Sequence, residues 1–157
     1  MRLFFLRHAQ AEDGNSDDFH RSLTKSGAGR TATAARVMQA LNIRPARIYS
    51  SPRVRAYQTA EIVANQLKLK VEVREEVNFD FNLQAVSDLI ADLNPADEVV
   101  FVGHEPSMSM VVQGLTGASV AMKKGGLARV DLFDSASLQG TLIWLIAPKV
   151  FDALGRN

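Results

Sequence analysis

Apolar residues fall along this chain in two alternating rhythms. Short continuous runs occur at Leu3 to Leu6 and at Val99 to Val102, the pattern of strands covered on both faces. Arg47 to Ser50 reads as a second short strand. Lys70 to Arg74 alternates charged and apolar residues, which predicts a half-exposed strand. Helical spacing separates these runs. Thr24 to Asn42 sets Ala28, Ala32, Ala35 and Met38 on one stripe, with Thr24 as N-cap. Ser51-Pro52 reads as an N-cap followed by proline at the first helical position. Ala56, Ala60, Val63 and Leu67 then continue a helical stripe. Leu83 to Leu93 is a helix stopped by Asn94-Pro95, and Pro106 to Leu115 another, with Met108, Val111, Val112 and Leu115 inward. Ala9 to Ser22 and residues 75 to 82 read as polar loops. Leu127 to Phe133 and Thr141 to Ile146 are two final strands, antiparallel to each other.

The order β-α-β-α-β-α-β-α-β-β implies right-handed crossovers and a largely parallel sheet. The expected fold class is α/β, a three-layer α/β/α sandwich. Its central sheet is mostly parallel but mixed, because the terminal hairpin adds an antiparallel strand. No repeat, low-complexity tract or linker interrupts the pattern, so a single domain is expected over 1–157.

Composition narrows the chemistry. The 157 residues are 46% hydrophobic and 22% charged, close to globular averages. Eighteen Lys and Arg against 17 Asp and Glu leave a formal net charge of +1. That balance gives no global pull toward nucleic acid or an anionic membrane. The chain has no cysteine, which excludes disulfides, a thiolate nucleophile and Cys-ligated metal. Met1 to Leu6 is too short for a signal peptide, and no apolar run approaches the roughly 20 residues that cross a bilayer. A soluble, cytoplasmic protein is the expectation.

Ligands of open α/β sheets bind beyond the carboxyl ends of the strands. The first strand delivers Arg7-His8 there. The second delivers Ser50-Ser51-Pro52-Arg53-Val54-Arg55, and the fourth Gly103-His104-Glu105-Pro106. Arginine offers a planar fork of donors suited to phosphate oxygens, and a helix N-terminus adds N–H groups for an anion. Histidine is a nucleophile when neutral and a donor when protonated. Each piece alone reads as ordinary surface, cap or turn. Together they predict an oxyanion pocket with an imidazole aimed at its centre. The reaction that fits is phosphoryl transfer to His8 followed by hydrolysis, with His104 as donor to a phosphate oxygen.

Asp17-Asp18 looks like half a metal site, but no further ligands stand at suitable spacing, so neither metal nor other cofactor is expected. His20 reads as exposed, and Lys123-Lys124-Gly125-Gly126 as a turn. Trp144 and the phenylalanines fit core strands, whereas Phe79-Asp80-Phe81 could wall the site or dock a partner.

These residues carry a resemblance to a known family. Leu6-Arg7-His8-Ala9 resembles the Arg-His-Gly signature of the histidine phosphatase superfamily, which includes phosphoglycerate mutases. Arg55-Ala56-Tyr57-Gln58-Thr59 resembles its second signature, and Val102-Gly103-His104-Glu105-Pro106 its third. Ser22-Leu23-Thr24 with Gly27 and Gly29 is similar to the opening of its first helix. Leu115-Thr116-Gly117 and Lys124-Gly125-Gly126 point to the SixA-type phosphohistidine phosphatases, nearly end to end.

The resemblance implies a phosphoglycerate mutase-like fold and a metal-independent hydrolase. It makes His8 the nucleophile, with Arg7, Arg55 and His104 forming the phosphate pocket and Arg21 a further basic residue nearby. It implies a phosphohistidine-bearing protein as substrate and partner, such as a phosphotransfer domain in signal transduction, and a monomer. Neither nucleic acid nor membrane is an expected partner.

Two departures stand out. Ala9 replaces the usual glycine, and no clear general acid is present. Glu76 and Asp80 are the candidates, in a loop that also holds Glu75. A phosphohistidine can leave as neutral imidazole with little need of an acid, whereas an alkyl phosphoester gains about 10²–10⁴ from one. The competing readings are a phosphatase of small phosphomonoesters and a phosphoprotein-binding module without turnover.

Overall fold

Six strands form one sheet in the order β3-β2-β4-β1-β5-β6. The structure is a computed structural model that describes residues 1–14 and 17–156, so part of the loop Ala9 to Ser22 lies outside the described residues. In chain order the elements are β1 (Arg2–Arg7), α1 (Lys25–Ala40), β2 (Arg47–Ser50), α2 (Val54–Leu67) and β3 (Val71–Val73). A 3-10 turn at Glu75–Val77 precedes α3 (Leu83–Ile90) and β4 (Glu98–Gly103). The chain continues through α4 (Ser107–Thr116), β5 (Leu127–Asp134), β6 (Gln139–Ile146) and α5 (Pro148–Leu154). β3, β2, β4 and β1 are parallel, and β5 alone runs against them.

Side chains of a strand alternate between faces, and the two apolar runs fill both. Leu3, Phe5, Val99 and Phe101 pack on one face beneath α3 and α4, with Val86, Leu89, Met108 and Val112. Phe4, Leu6, Val100 and Val102 pack on the other against α1, α2 and α5, with Met38, Ala60, Val63 and Phe151. This is the three-layer α/β/α sandwich expected from the element order.

Several local expectations need correction. Thr24 does cap α1, its side chain accepting from the Gly27 N–H. The buried stripe of α1, however, is Gly27, Thr31, Ala34, Ala35 and Met38, with Ala28 and Ala32 only half-buried. Gly27 explains the rotation, since a Cβ there would collide with the Gln10 carbonyl oxygen. The helix docks on the chain leaving β1 through that glycine.

Ser51-Pro52 does not open α2, which starts at Val54. Ser51 still donates its N–H to Val102, and its hydroxyl is engaged elsewhere. α3 ends at Ile90 rather than Leu93. The closing helix α5 had no counterpart in the sequence reading. It is seven residues long with Pro148 in its first turn, and it docks through Phe151 and an Arg30–Asp152 ion pair of 2.6 Å. Phe19 and Phe133 are exposed rather than in the core. No helix among the described residues is long and apolar enough to cross a membrane.

Candidate active site

Strand order and register bring the chemistry together. β4 lies between β2 and β1, with Arg7 opposite Gly103 and Ser50 opposite Val102. The residues that follow, His8, Ser51 and His104, therefore emerge side by side at one sheet edge. The backbone of His8 is clamped there. Its N–H donates to Gly103 at 3.0 Å, and the Gly125 N–H donates to the carbonyls of Arg7 and His8, each at 3.1 Å. The basic turn before β5 thus serves as a floor beneath the site.

The His8 side chain is buried and oriented. Its Nδ1 lies 2.8 Å from the Ala9 carbonyl oxygen. A carbonyl can only accept, so Nδ1 carries the proton in the neutral ring and Nε2 is unprotonated, its lone pair open to a donor. The Arg55 Nε–H points at that Nε2 from 3.4 Å. Burial, with help from the positive charges of Arg55, Arg7 and Lys124 and opposed by the Ala9 carbonyl, lowers the His8 pKa to about 4. His8 is therefore neutral near pH 7.

His104 faces His8 with ring centroids 5.2 Å apart. Its Nε2 lies 2.8 Å from Ser51 Oγ, which also accepts from the Arg53 N–H. Burial, then His8 and the neighbouring arginines, lower its pKa to about 3. His104 Nδ1 is buried without a hydrogen-bond partner among the described residues, as is Arg7 Nε. The Arg7 NH1 group donates to Met122. Arg7 and Arg55 both have their pKa lowered, chiefly by burial, yet guanidinium stays charged in proteins. Two buried nitrogens without partners, one of them on Arg7 itself and the other on His104, beside a second buried cation, make a place prepared for an anion.

The second signature has a visible logic. Arg55 enters the site from the first turn of α2. Three residues on, Gln58 Oε1 accepts the Leu23 N–H at 2.7 Å. One further, Thr59 Oγ1 accepts the Ala9 N–H at 3.1 Å and donates to the Arg55 carbonyl at 2.8 Å. The helix thereby holds both segments that flank the loop after β1. Ser51 and Thr59 were legible only as a cap and as part of a motif.

Other candidates are placed less evenly. Arg21 lies at the outer edge of the site, its Nε 3.1 Å from Asp18 Oδ1. Glu76 and Asp80 are exposed, and no described side-chain hydrogen bond or ion pair joins either to His8, Arg7, Arg55 or His104. Phe79 walls the site, edge-on to His104 at 4.8 Å, with the Arg53 guanidinium 3.9 Å from its ring centre. Gly103 permits this, because a Cβ there would lie 2.9 Å from the Val77 carbonyl oxygen. Its neighbour Phe81 is core. His20 is exposed and bonded to Asp17. Among the described residues no group of three or more His, Asp or Glu is placed to hold a metal. A cavity of about 230 Å³ beside Ala9, between α1 and α5, includes none of His8, Arg7, Arg55 or His104 in its lining.

A mostly parallel α/β sheet that gathers buried cations around an unprotonated imidazole is suited to engaging an oxyanion. Comparison with known proteins gives the class a name. The sequence profile of the histidine phosphatase superfamily (branch 1) matches residues 3–78. An uncharacterised protein of Picosynechococcus sp. is 32% identical over 136 residues, covering 81% of this chain and 82% of the relative.

Among solved structures, the protein histidine phosphatase SixA complexed with tungstate superposes with a TM-score of 0.85 at 27% identity. That match covers 95% of this chain and 98% of the other. A candidate phosphohistidine phosphatase SixA from Agrobacterium tumefaciens gives 0.77 at 25%, covering 94% and 98%. A mycobacterial glucosyl-3-phosphoglycerate phosphatase, at 0.73 and 18% over 93% and 99%, shares the fold. This chain belongs to the histidine phosphatase superfamily, and that membership together with its likeness to SixA supports a phosphatase.

Proposed function

We propose that this phosphatase removes the phosphoryl group from phosphohistidine in proteins, through a covalent phosphohistidine on His8. The observation that carries this reading is the state of the His8 ring, with Nδ1 bonded to the Ala9 carbonyl and Nε2 unprotonated, held only by a long contact to Arg55. In the first step Nε2 attacks phosphorus in line while the substrate P–N bond breaks. The bonding pair stays on the substrate nitrogen, which departs as neutral imidazole if its distal nitrogen was protonated. Water then attacks phospho-His8, releasing phosphate and restoring the neutral ring.

Arg7, Arg55 and His104 hold the equatorial oxygens. With Ser51 donating its hydroxyl proton to His104 Nε2, the other ring nitrogen, Nδ1, carries the proton that a phosphate oxygen would accept. Arg21 contributes charge from the outer edge. The guanidinium groups supply the charge stabilisation a metal would otherwise bring, so the proposed reaction is metal-independent.

Two features favour a phosphohistidine over an alkyl phosphoester. The leaving imidazole needs no proton from Glu76 or Asp80, both exposed at the margin. The mouth is edged by the partly exposed rings of Phe19 and Phe79, which a phosphorylated side chain on another protein could reach. The test compares kcat/KM for a phosphorylated histidine-containing phosphotransfer domain with a panel of phosphomonoesters. The phosphoprotein should be preferred by at least about tenfold, a difference of about 1.4 kcal/mol in transition-state stabilisation. A preferred sugar phosphate would overturn the substrate assignment.

A further inference from the structure

Asp17 and Asp18 look alike in sequence and behave differently in the fold. Asp17 turns outward to His20. Asp18 sits within a ring of three arginines. Its Oδ2 is 2.7 Å from Arg53 NH1 and 3.3 Å from Arg55 NH2, and its Oδ1 is 3.1 Å from Arg21 Nε. Its carbonyl oxygen also accepts from Arg55 NH1 at 2.9 Å. Three arginines from two segments thus converge on one residue of the loop after β1.

We propose that Asp18 is a positioning residue for the phosphoryl pocket, holding the outer edge of the Arg55 guanidinium so that it stays beside His8, where phosphate oxygens would meet it. The proposal rests on the reading of His8 and Arg55 as the phosphoryl site.

An accounting of donors supports it. Of the three Arg55 nitrogens, NH1 and NH2 are held by Asp18 and Nε faces His8. A free arginine side chain samples many rotamers, and one held at two nitrogens does not. Electrostatics point the same way. Arg55 is buried near Arg21 and Arg53, which disfavour its charge, and Asp18 is the group that offsets them. Burial raises the Asp18 pKa, but Arg55, Arg21 and Arg53 more than reverse this, so the carboxylate is ionised where the enzyme works. Asp18 is therefore no proton donor. The loop is also docked by backbone, since the Val54 N–H donates to the Phe19 carbonyl at 3.1 Å.

A simple counterion would behave differently from a positioning group. Removing a counterion leaves more positive charge and tightens anion binding. Removing a positioning group lowers turnover, because a displaced guanidinium no longer meets the transition state.

The test uses Asp18→Ala and Asp18→Asn beside wild type, with turnover of an aryl phosphate and inhibition by inorganic phosphate. The proposal expects Asp18→Ala to lower kcat about tenfold or more, even where the lost negative charge tightens inhibition by phosphate. Asp18→Asn, which keeps one acceptor oxygen, should recover part of kcat. Unchanged kcat with markedly tighter phosphate binding would overturn the proposal in favour of a counterion.

Should Asp18→Ala fail to fold, Asp18→Asn and the Arg55 Nε–H NMR signal decide. That signal should be sharp and slowly exchanging in wild type and should broaden in Asp18→Asn. An unaltered signal with full activity would also overturn the proposal. If wild type turns over no phosphoryl compound, the functional reading has failed, and the Arg55 signal still reports on Asp18.

Discussion

The protonation state of His8 follows from where its two nitrogens point. Nδ1 is tied to a carbonyl, and Nε2 is left as a lone pair in a setting that resists protonation. With the pKa lowered to about 4, the ring should stay neutral well below the ordinary histidine range. Histidine ¹⁵N NMR of the phosphate-free protein should show His8 as the neutral Nδ1–H tautomer at pH 7 and still largely neutral at pH 5. A midpoint near 6.5 would contradict this. The sign for stability follows by linkage. An unfolded histidine takes up its proton near pH 6.5, while His8 and His104 resist until about 4 and 3. Their contribution thus disfavours the native state as pH falls from about 6.5 toward those values. The substitution at residue 9 is also resolved at this level. The described non-glycine residues with positive φ are Asn42, Lys68 and Leu138, so the Ala9 backbone asks for nothing only glycine supplies.

Among the elements, β4 does most to join core and site. Phe101 is fully buried, with ring centroids 5.4 Å from Phe5, 5.8 Å from Tyr49 and 5.2 Å from Phe81. Phe101→Ala should destabilise the fold by about 3–5 kcal/mol in urea unfolding. A loss below about 1 kcal/mol would mean the sheet does not pack through this ring.

β1 and β4 were legible because their apolar runs are continuous and short. β2 fell on the same four residues in sequence and structure. The start of α2 was not legible. Ser51-Pro52 has the chemistry of a helix start, but its hydroxyl serves His104 and its N–H extends the sheet. Tertiary contacts there outweigh local preference. α5 escaped notice because seven residues carry too little periodicity to read.

At the level of the whole molecule, the site exists because of topology. Residues 8, 51, 55 and 104 are distant in sequence, and the order β2-β4-β1 makes them neighbours. The rule that ligands sit at strand carboxyl ends was enough to collect Arg7, His8, Arg55 and His104. It could not collect Asp18 or Phe79, whose places depend on how two loops fold back over the edge. A polar loop residue gives no local signal of the arginines it will meet.

The central claim is that His8 Nε2 takes the phosphoryl group. Brief mixing with a ³²P-labelled phosphohistidine protein, followed by rapid quench and peptide mapping, tests it most directly. The account predicts an acid-labile, alkali-stable label on His8, absent from His8→Ala. Label persisting in His8→Ala, or turnover by that variant at the wild-type rate, would contradict it.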